Sequence, residues 1–203
     1  MYSWFRYLDA TGKFNETHCK VIFKKILEAI NAIHKKGIYH LDIKLQNILL
    51  DENFQPKITD FVLSIQKEES KDCFLKLNKE VIGTKEYMAP QILAYKKFNT
   101  IKADIFSLGV TIFTLSARVN RFGKASGKDF FYKHIKENTE NSIKEYWNKI
   151  KEYNINLSDS LQKLYIKMVS FDEDKRPSID EILKDEWFSE IENLIFHFFL
   201  RIK

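Results

Sequence analysis

The chain has 203 residues, 44% hydrophobic and 30% charged, and its 33 basic against 28 acidic residues give a formal net charge of +5. That length and balance suit one globular domain with a sizeable core and call for no second domain. The lysine surplus is dispersed and forms no basic stripe with interleaved aromatics, which argues against nucleic-acid binding and mildly favours acidic partners. Cys19 and Cys73 lie far apart and fit no metal-ligand spacing, so they are expected to be reduced thiols of an intracellular, cytoplasmic protein, with no zinc site. The N-terminus lacks a signal-peptide pattern, and no apolar run nears the roughly 18 residues of a membrane span. Neither an internal repeat nor a low-complexity tract is present.

In chain order, Val21, Ile22, Phe23, Ile26, Leu27, Ile30 and Ile33 recur at helical spacing. Asn15 offers an N-cap and Lys35, Lys36 and Gly37 a stop, which together predict a long core helix. Ile48, Leu49 and Leu50 and then residues 56–59 flank a polar turn, the pattern of a short hairpin. Residues 63–83 are polar and of mixed charge, which predicts a mobile surface segment; Ser64 and Ser70 in it are either phosphosites or plain solvent-facing serines. Ile101, Ile105, Leu108, Ile112 and Leu115 predict a buried helix, inside which Asp104 needs partners. Further helices are predicted over residues 128–136 and 161–169, and Ser178 with Glu181 makes a capping box. Ile191, Leu194, Ile195, Phe198, Phe199 and Ile202 share one face, so residues 188–203 read as an amphipathic helix. That helix packs on the same domain, binds a partner or opens a regulatory segment.

Residues 40–47 read His-Leu-Asp-Ile-Lys-Leu-Gln-Asn, and Asp60, Phe61 and Val62 follow the hairpin. Gly83-Thr84, residues 87–91 (Tyr-Met-Ala-Pro-Gln), residues 104–109 (Asp-Ile-Phe-Ser-Leu-Gly) and Arg176 come next in order. This series resembles the C-terminal lobe of a eukaryotic protein kinase over residues 1–187. A lysine two residues after Asp42 is similar to the serine/threonine type, and the wording around the motifs to the calmodulin-dependent and AMP-activated group. The resemblance implies a mainly α fold with a small β-hairpin, and a helix from residue 1 to 8 after the family's hinge. It implies that Asp42 orients the proton of the attacking hydroxyl, that Lys44 reaches the transferring phosphate, and that Asn47 and Asp60 hold Mg²⁺. It also implies that Leu49 lies under the adenine of ATP, that His40 and Phe61 share an internal spine, that Asp104 anchors the catalytic-loop amides, and that the partner is a protein substrate or another kinase.

Departures from the family accompany these matches. The 203 residues hold no Gly-x-Gly-x-x-Gly loop and no phosphate-gripping strand lysine, so phosphotransfer by the chain alone is expected to be impaired unless a complementing N-lobe chain supplies the roof. The alternative is a non-catalytic, pseudokinase-type binding module. Leu41 stands where the family carries a phosphate-receiving arginine and Glu80 where it carries a phosphothreonine; either a fixed charge replaces a regulated one, or Leu41 packs and Glu80 is solvated. Val62 replaces a glycine, which restricts movement of Asp60 because a β-branched residue resists positive φ. Gln91 replaces a glutamate that pairs with the residue matched by Arg176.

Overall fold

The computed structural model describes residues 2–3, 15–51, 55–67, 74–75, 83–120, 122–189 and 191. Helix α1 (Glu16–His34) starts where Asn15 accepts a hydrogen bond from His18 N and stops before Gly37, whose φ of +70° an L side chain would resist. Its buried face is the predicted one, from Val21 to Ile30. Strands β1 (Tyr2–Ser3), β3 (Ile48–Leu50) and β4 (Pro56–Ile58) form an antiparallel sheet in the order β1-β3-β4. The hairpin is the predicted one, and its register pairs Ile48 with Ile58 and Leu50 with Pro56. The predicted helix over residues 1–8 is corrected at its start: Tyr2 and Ser3 are strand, opposite Leu50 and Leu49. Residues 4–14 lie outside the described ones.

Two shorter pairs pin the segments around the loop at residues 40–47. Strand β2 (Ile38–Tyr39) pairs with β5 (Ile65–Gln66), and β6 (Phe74–Leu75) with β7 (Phe98–Asn99). The stretch 63–83 is thus anchored at two described points, while Ser70, Cys73 and Glu80 fall outside the described residues. Ser64 puts its hydroxyl on Phe61 O at 2.7 Å.

After a short α2 (Pro90–Leu93), helix α3 (Thr100–Ala117) is buried on every side from Ala103 to Leu115. Its length and apolar composition would let it cross a membrane, but 78% of it is buried inside the fold, so it is the central core helix. One aliphatic core joins α1, the hairpin, one flank of α3 and Trp187. A second, aromatic core joins the other flank of α3 to α4 (Tyr132–Glu137), α5 (Glu140–Lys151) and α6 (Asp159–Met168). Helix α3 meets α6 at Gly109, where an added Cβ would fall 2.8 Å from Val169 Cγ1. Helix α4 starts later than predicted because the Asp129 carboxylate pins Gly123 N, Phe131 N and Tyr132 N. Helix α5 is an addition to the sequence reading. Helix α7 (Ile179–Leu183) has the predicted capping box between Ser178 and Glu181.

Two polar locks close the domain. Glu16 accepts from Trp187 Nε1 at 2.7 Å and from Ser158 N at 2.9 Å, joining the first helix to the last turn. Arg176, 1% exposed, donates to Ser170 O, Lys102 O and, at 2.7 Å, to Gln91 Oε1. Its acceptors are neutral oxygens, and burial pushes the guanidinium down to about 10. Gln91 also donates to Phe171 O at 2.6 Å, a bond that a glutamate there could not make. Gln91→Ala removes both contacts and is expected to cost about 1–3 kcal/mol, read as a lower urea midpoint at unchanged slope.

Candidate functional site

The site begins with a buried carboxylate. Asp104, fully buried on α3, accepts His40 N at 2.9 Å and His34 Nε2 at 2.8 Å on Oδ2, and Leu41 N at 2.8 Å on Oδ1. These bonds fix the loop at its first two residues and hold Leu41 in the left-handed region at φ 61°, which a non-glycine residue keeps only when its surroundings enforce it. Leu41 packs against the aromatic core, and Glu80, the other half of that pair of readings, lies outside the described residues. The His40 ring is buried, accepts Asp42 N on Nδ1, donates from Nε2 to Thr59 O and packs 4.9 Å from the Phe61 ring. That is the spine contact the family resemblance implies.

Asp42 sits at the centre, 6% exposed. Its Oδ2 accepts Lys44 Nζ at 2.6 Å and Asn47 Nδ2 at 3.0 Å, and its Oδ1 accepts Thr84 N at 3.0 Å. Lys44 Nζ also donates to Thr84 Oγ1 at 2.7 Å. Burial alone would raise the Asp42 carboxyl, but the bonds from Lys44 and Thr84 outweigh it and hold the group below its ordinary value. Gly83 makes the approach of Thr84 possible: at φ +110° it lies against the loop, and a Cβ would fall 3.2 Å from Leu41 O.

Asn47 donates a second bond to Asp42 O at 2.9 Å, and its backbone oxygen accepts Thr59 N at 2.9 Å. The hairpin therefore brings Thr59, the residue before Asp60, against Asn47. No described residue donates to Asn47 Oδ1 or to the exposed Asp60 carboxylate. An amide oxygen and a carboxylate with no donor are hard oxygen donors of the kind Mg²⁺ takes alongside phosphate and water. Asp60 is left-handed (φ 62°), Val62 lies in the following turn at 86% exposure, and the unusual backbone angle thus falls on the aspartate. Leu49 is half-buried on β3. Among the described residues no cluster of three or more His, Cys, Asp or Glu is placed to hold a metal ion. Cys19 is a free, buried thiol pushed up to about 11 by burial, so it is inert near neutrality.

Of the five residues expected at the site, Asp42, Lys44 and Asn47 form one bonded set, Leu49 lies on β3 and Asp60 two residues past β4. Two contributors escaped the sequence reading. Thr84 appears there only in the series of motifs, and His34 falls unremarked in the predicted long helix; their partners are 42 and 70 residues away.

Comparison with known proteins assigns the chain to a family. Residues 1–188 match the protein kinase domain family. The chain is 33% identical over 199 residues to a probable serine/threonine-protein kinase, fhkC, of Dictyostelium discoideum, covering 94% of this chain and 31% of that protein. It is 30% identical over 181 residues to CBL-interacting serine/threonine-protein kinase 13 of Arabidopsis thaliana, covering 89% of this chain and 33% of that one. The chain belongs to the protein kinase family, and its relatives are of the serine/threonine type. It spans about a third of the length of these relatives. Its mainly helical architecture, with a few short strands, is that of the family's C-terminal lobe.

Asp104→Asn keeps one acceptor oxygen and leaves at least one loop amide unpaired, with an expected cost of about 1–3 kcal/mol; hydrogen exchange at the His40 and Leu41 amides should speed up about tenfold or more. Asp42 gives a pH dependence of known sign. Its folded carboxyl lies below the ordinary 3.8, so the unfolded chain binds the proton more readily. The stability it confers is complete above that value and is lost as pH falls through the folded one. Urea unfolding followed from about pH 5 to pH 2 should show this loss flattened in Asp42→Asn.

Proposed function

We propose that this chain carries the catalytic-loop lobe of a serine/threonine protein kinase that moves the γ-phosphoryl group of ATP to hydroxyls of a protein substrate. The observation that supports it best is the closed set of bonds among Asp42, Lys44, Asn47 and Thr84. In this reading Asp42 accepts the proton of the attacking hydroxyl, its carboxylate kept ionised and oriented by its neighbours. Lys44, resting on both Asp42 and Thr84, offers a cation to the transferring phosphoryl oxygens. Asn47 Oδ1 and Asp60 would hold Mg²⁺, which would neutralise phosphate charge when bound with ATP, and Leu49 would support the adenine. Residues 1–187 act as the lobe, with residues 188–203 an appended helix that, Phe188, Ser189 and Ile191 apart, falls outside the described residues. The setting is intracellular and cytoplasmic.

These 203 residues hold no Gly-x-Gly-x-x-Gly loop, and with it goes the family's phosphate-gripping lysine that follows such a loop. A missing preorganised donor costs about 2.7–4 kcal/mol, so two cost roughly 5–8 kcal/mol, or about 10⁴–10⁶ in rate. The chain by itself is therefore slow in this reading, and a complementing N-lobe, on this or another chain, supplies the roof. A second reading, a non-catalytic module that binds a substrate or partner kinase through residues 84–90, draws support from Leu41, which packs where a phosphate receptor would stand.

Isothermal titration with MgATP separates the two. Saturable heat that disappears in Asp60→Ala supports the metal corner; a folded chain that gives no heat overturns nucleotide binding and favours the second reading. In Asp42→Asn, MgATP binding should persist while phosphotransfer to a protein substrate falls about 10²–10⁴-fold.

A further inference from the structure

Remote from the catalytic loop, the surface around α4 carries an arrangement that the phosphotransfer site does not use. Phe130 is 55% exposed and sits edge-on to Phe131, ring centroids 5.2 Å apart, while Phe131 packs into the aromatic core. Two ammonium groups from different helices converge on the Phe130 ring, Lys133 Nζ of α4 at 5.3 Å and Lys149 Nζ of α5 at 4.7 Å. Neither is ion-paired among the described residues. On the next turn of α4, Lys136 Nζ lies 5.0 Å from the ring of Phe171, itself 39% exposed.

A cation gains from an aromatic face, but two like charges gathered over one ring repel each other, and an incoming anion would relieve both. No described acid comes within ion-pair distance of either lysine: Asp129 is committed to three backbone amides, and the charges of Glu145, 3.5 Å from His134 Nδ1, and of Glu137 act on His134. His134 is buried with no hydrogen bond at either ring nitrogen. Burial first, and then the charge of Lys133, push its pKa down, while Glu145 and Glu137 act the other way.

From this geometry we propose that the Phe130, Lys133 and Lys149 surface docks an acidic segment of a partner protein, with an apolar side chain of that segment seated on Phe130 and its carboxylates between the two lysines. The ring supplies contact area on a base already held by Phe131, and the unpaired ammoniums supply charge complementarity. This docking is independent of nucleotide binding and of whether the chain transfers phosphate.

The test is fluorescence anisotropy of the whole chain with a fluorescein-labelled peptide in which one phenylalanine is flanked by glutamates. Saturable binding is expected, weakened about tenfold or more in Phe130→Ala and in Lys133→Glu/Lys149→Glu. Lys35→Glu/Lys36→Glu, which changes net charge equally on the exposed turn after α1, should leave it unchanged. Lys133→Gln/Lys149→Gln keeps the comparison available if the charge-reversed pair does not fold. Equal binding by all variants, or equal binding of a peptide with serine in place of phenylalanine, overturns the proposal, since either means attraction by net charge alone. Binding of phosphatidylserine vesicles with no binding of the peptide also overturns it and assigns the patch to an anionic membrane surface.

Discussion

The buried carboxylate of Asp104 is the constraint on which the site depends. A carboxylate taken fully out of water is tolerated only when hydrogen bonds replace its hydration, and here three N–H groups do so. They come from the end of α1 and from two consecutive residues of the catalytic loop. The demand of one buried acceptor group thus sets the distance between two helices and the entry angle of the loop between them. The strained backbone of Leu41 follows from the same demand. Asp42, Lys44 and Asn47 inherit their positions from that fixed start and need little further support.

Thr84 extends the arrangement to a distant part of the chain. It answers both Asp42 and Lys44, so the segment that leads into α2 is registered against the catalytic loop by polar contacts. Arg176 fastens the far end of the same segment through Gln91. Because that partner is an amide, the link is a network of neutral acceptors around a buried cation, and its strength lies in the number and geometry of hydrogen bonds. The glutamate-to-glutamine departure therefore changes the chemistry of the lock and leaves its topology in place.

How much of this could be read from sequence depended on the range of the interactions. Helix α1, the hairpin, α3 and the capping box of α7 have local signals, namely a sustained 3.6-residue period, an N-cap or a polar turn, and all formed as expected. The spacing of Asp42, Lys44, Asn47 and Asp60 was equally legible, since their neighbours lie within one loop and hairpin. Strands β1, β5 and β6 are two residues long, too short to carry a period, and depend on partners elsewhere in the chain. Helix α5 did have an apolar series in Ile143, Tyr146, Trp147 and Ile150, but its capping box joins Thr139 to Ser142 and lacks the usual glutamate or glutamine. The roles of His34 and Thr84 left no local trace, because each is defined by a contact across the fold.

The bond between Glu16 and Trp187 bears on how the domain is made. It joins residues 171 positions apart, and the same carboxylate also holds the start of α6. A growing polypeptide leaving the ribosome can form α1 early, but that helix cannot find its final polar partners until almost the whole lobe has been synthesised. Such non-local closure slows folding and leaves the apolar face of α1 exposed to solvent or to chaperones in the interval. The lobe is therefore built to fold as one unit after synthesis rather than piece by piece during it.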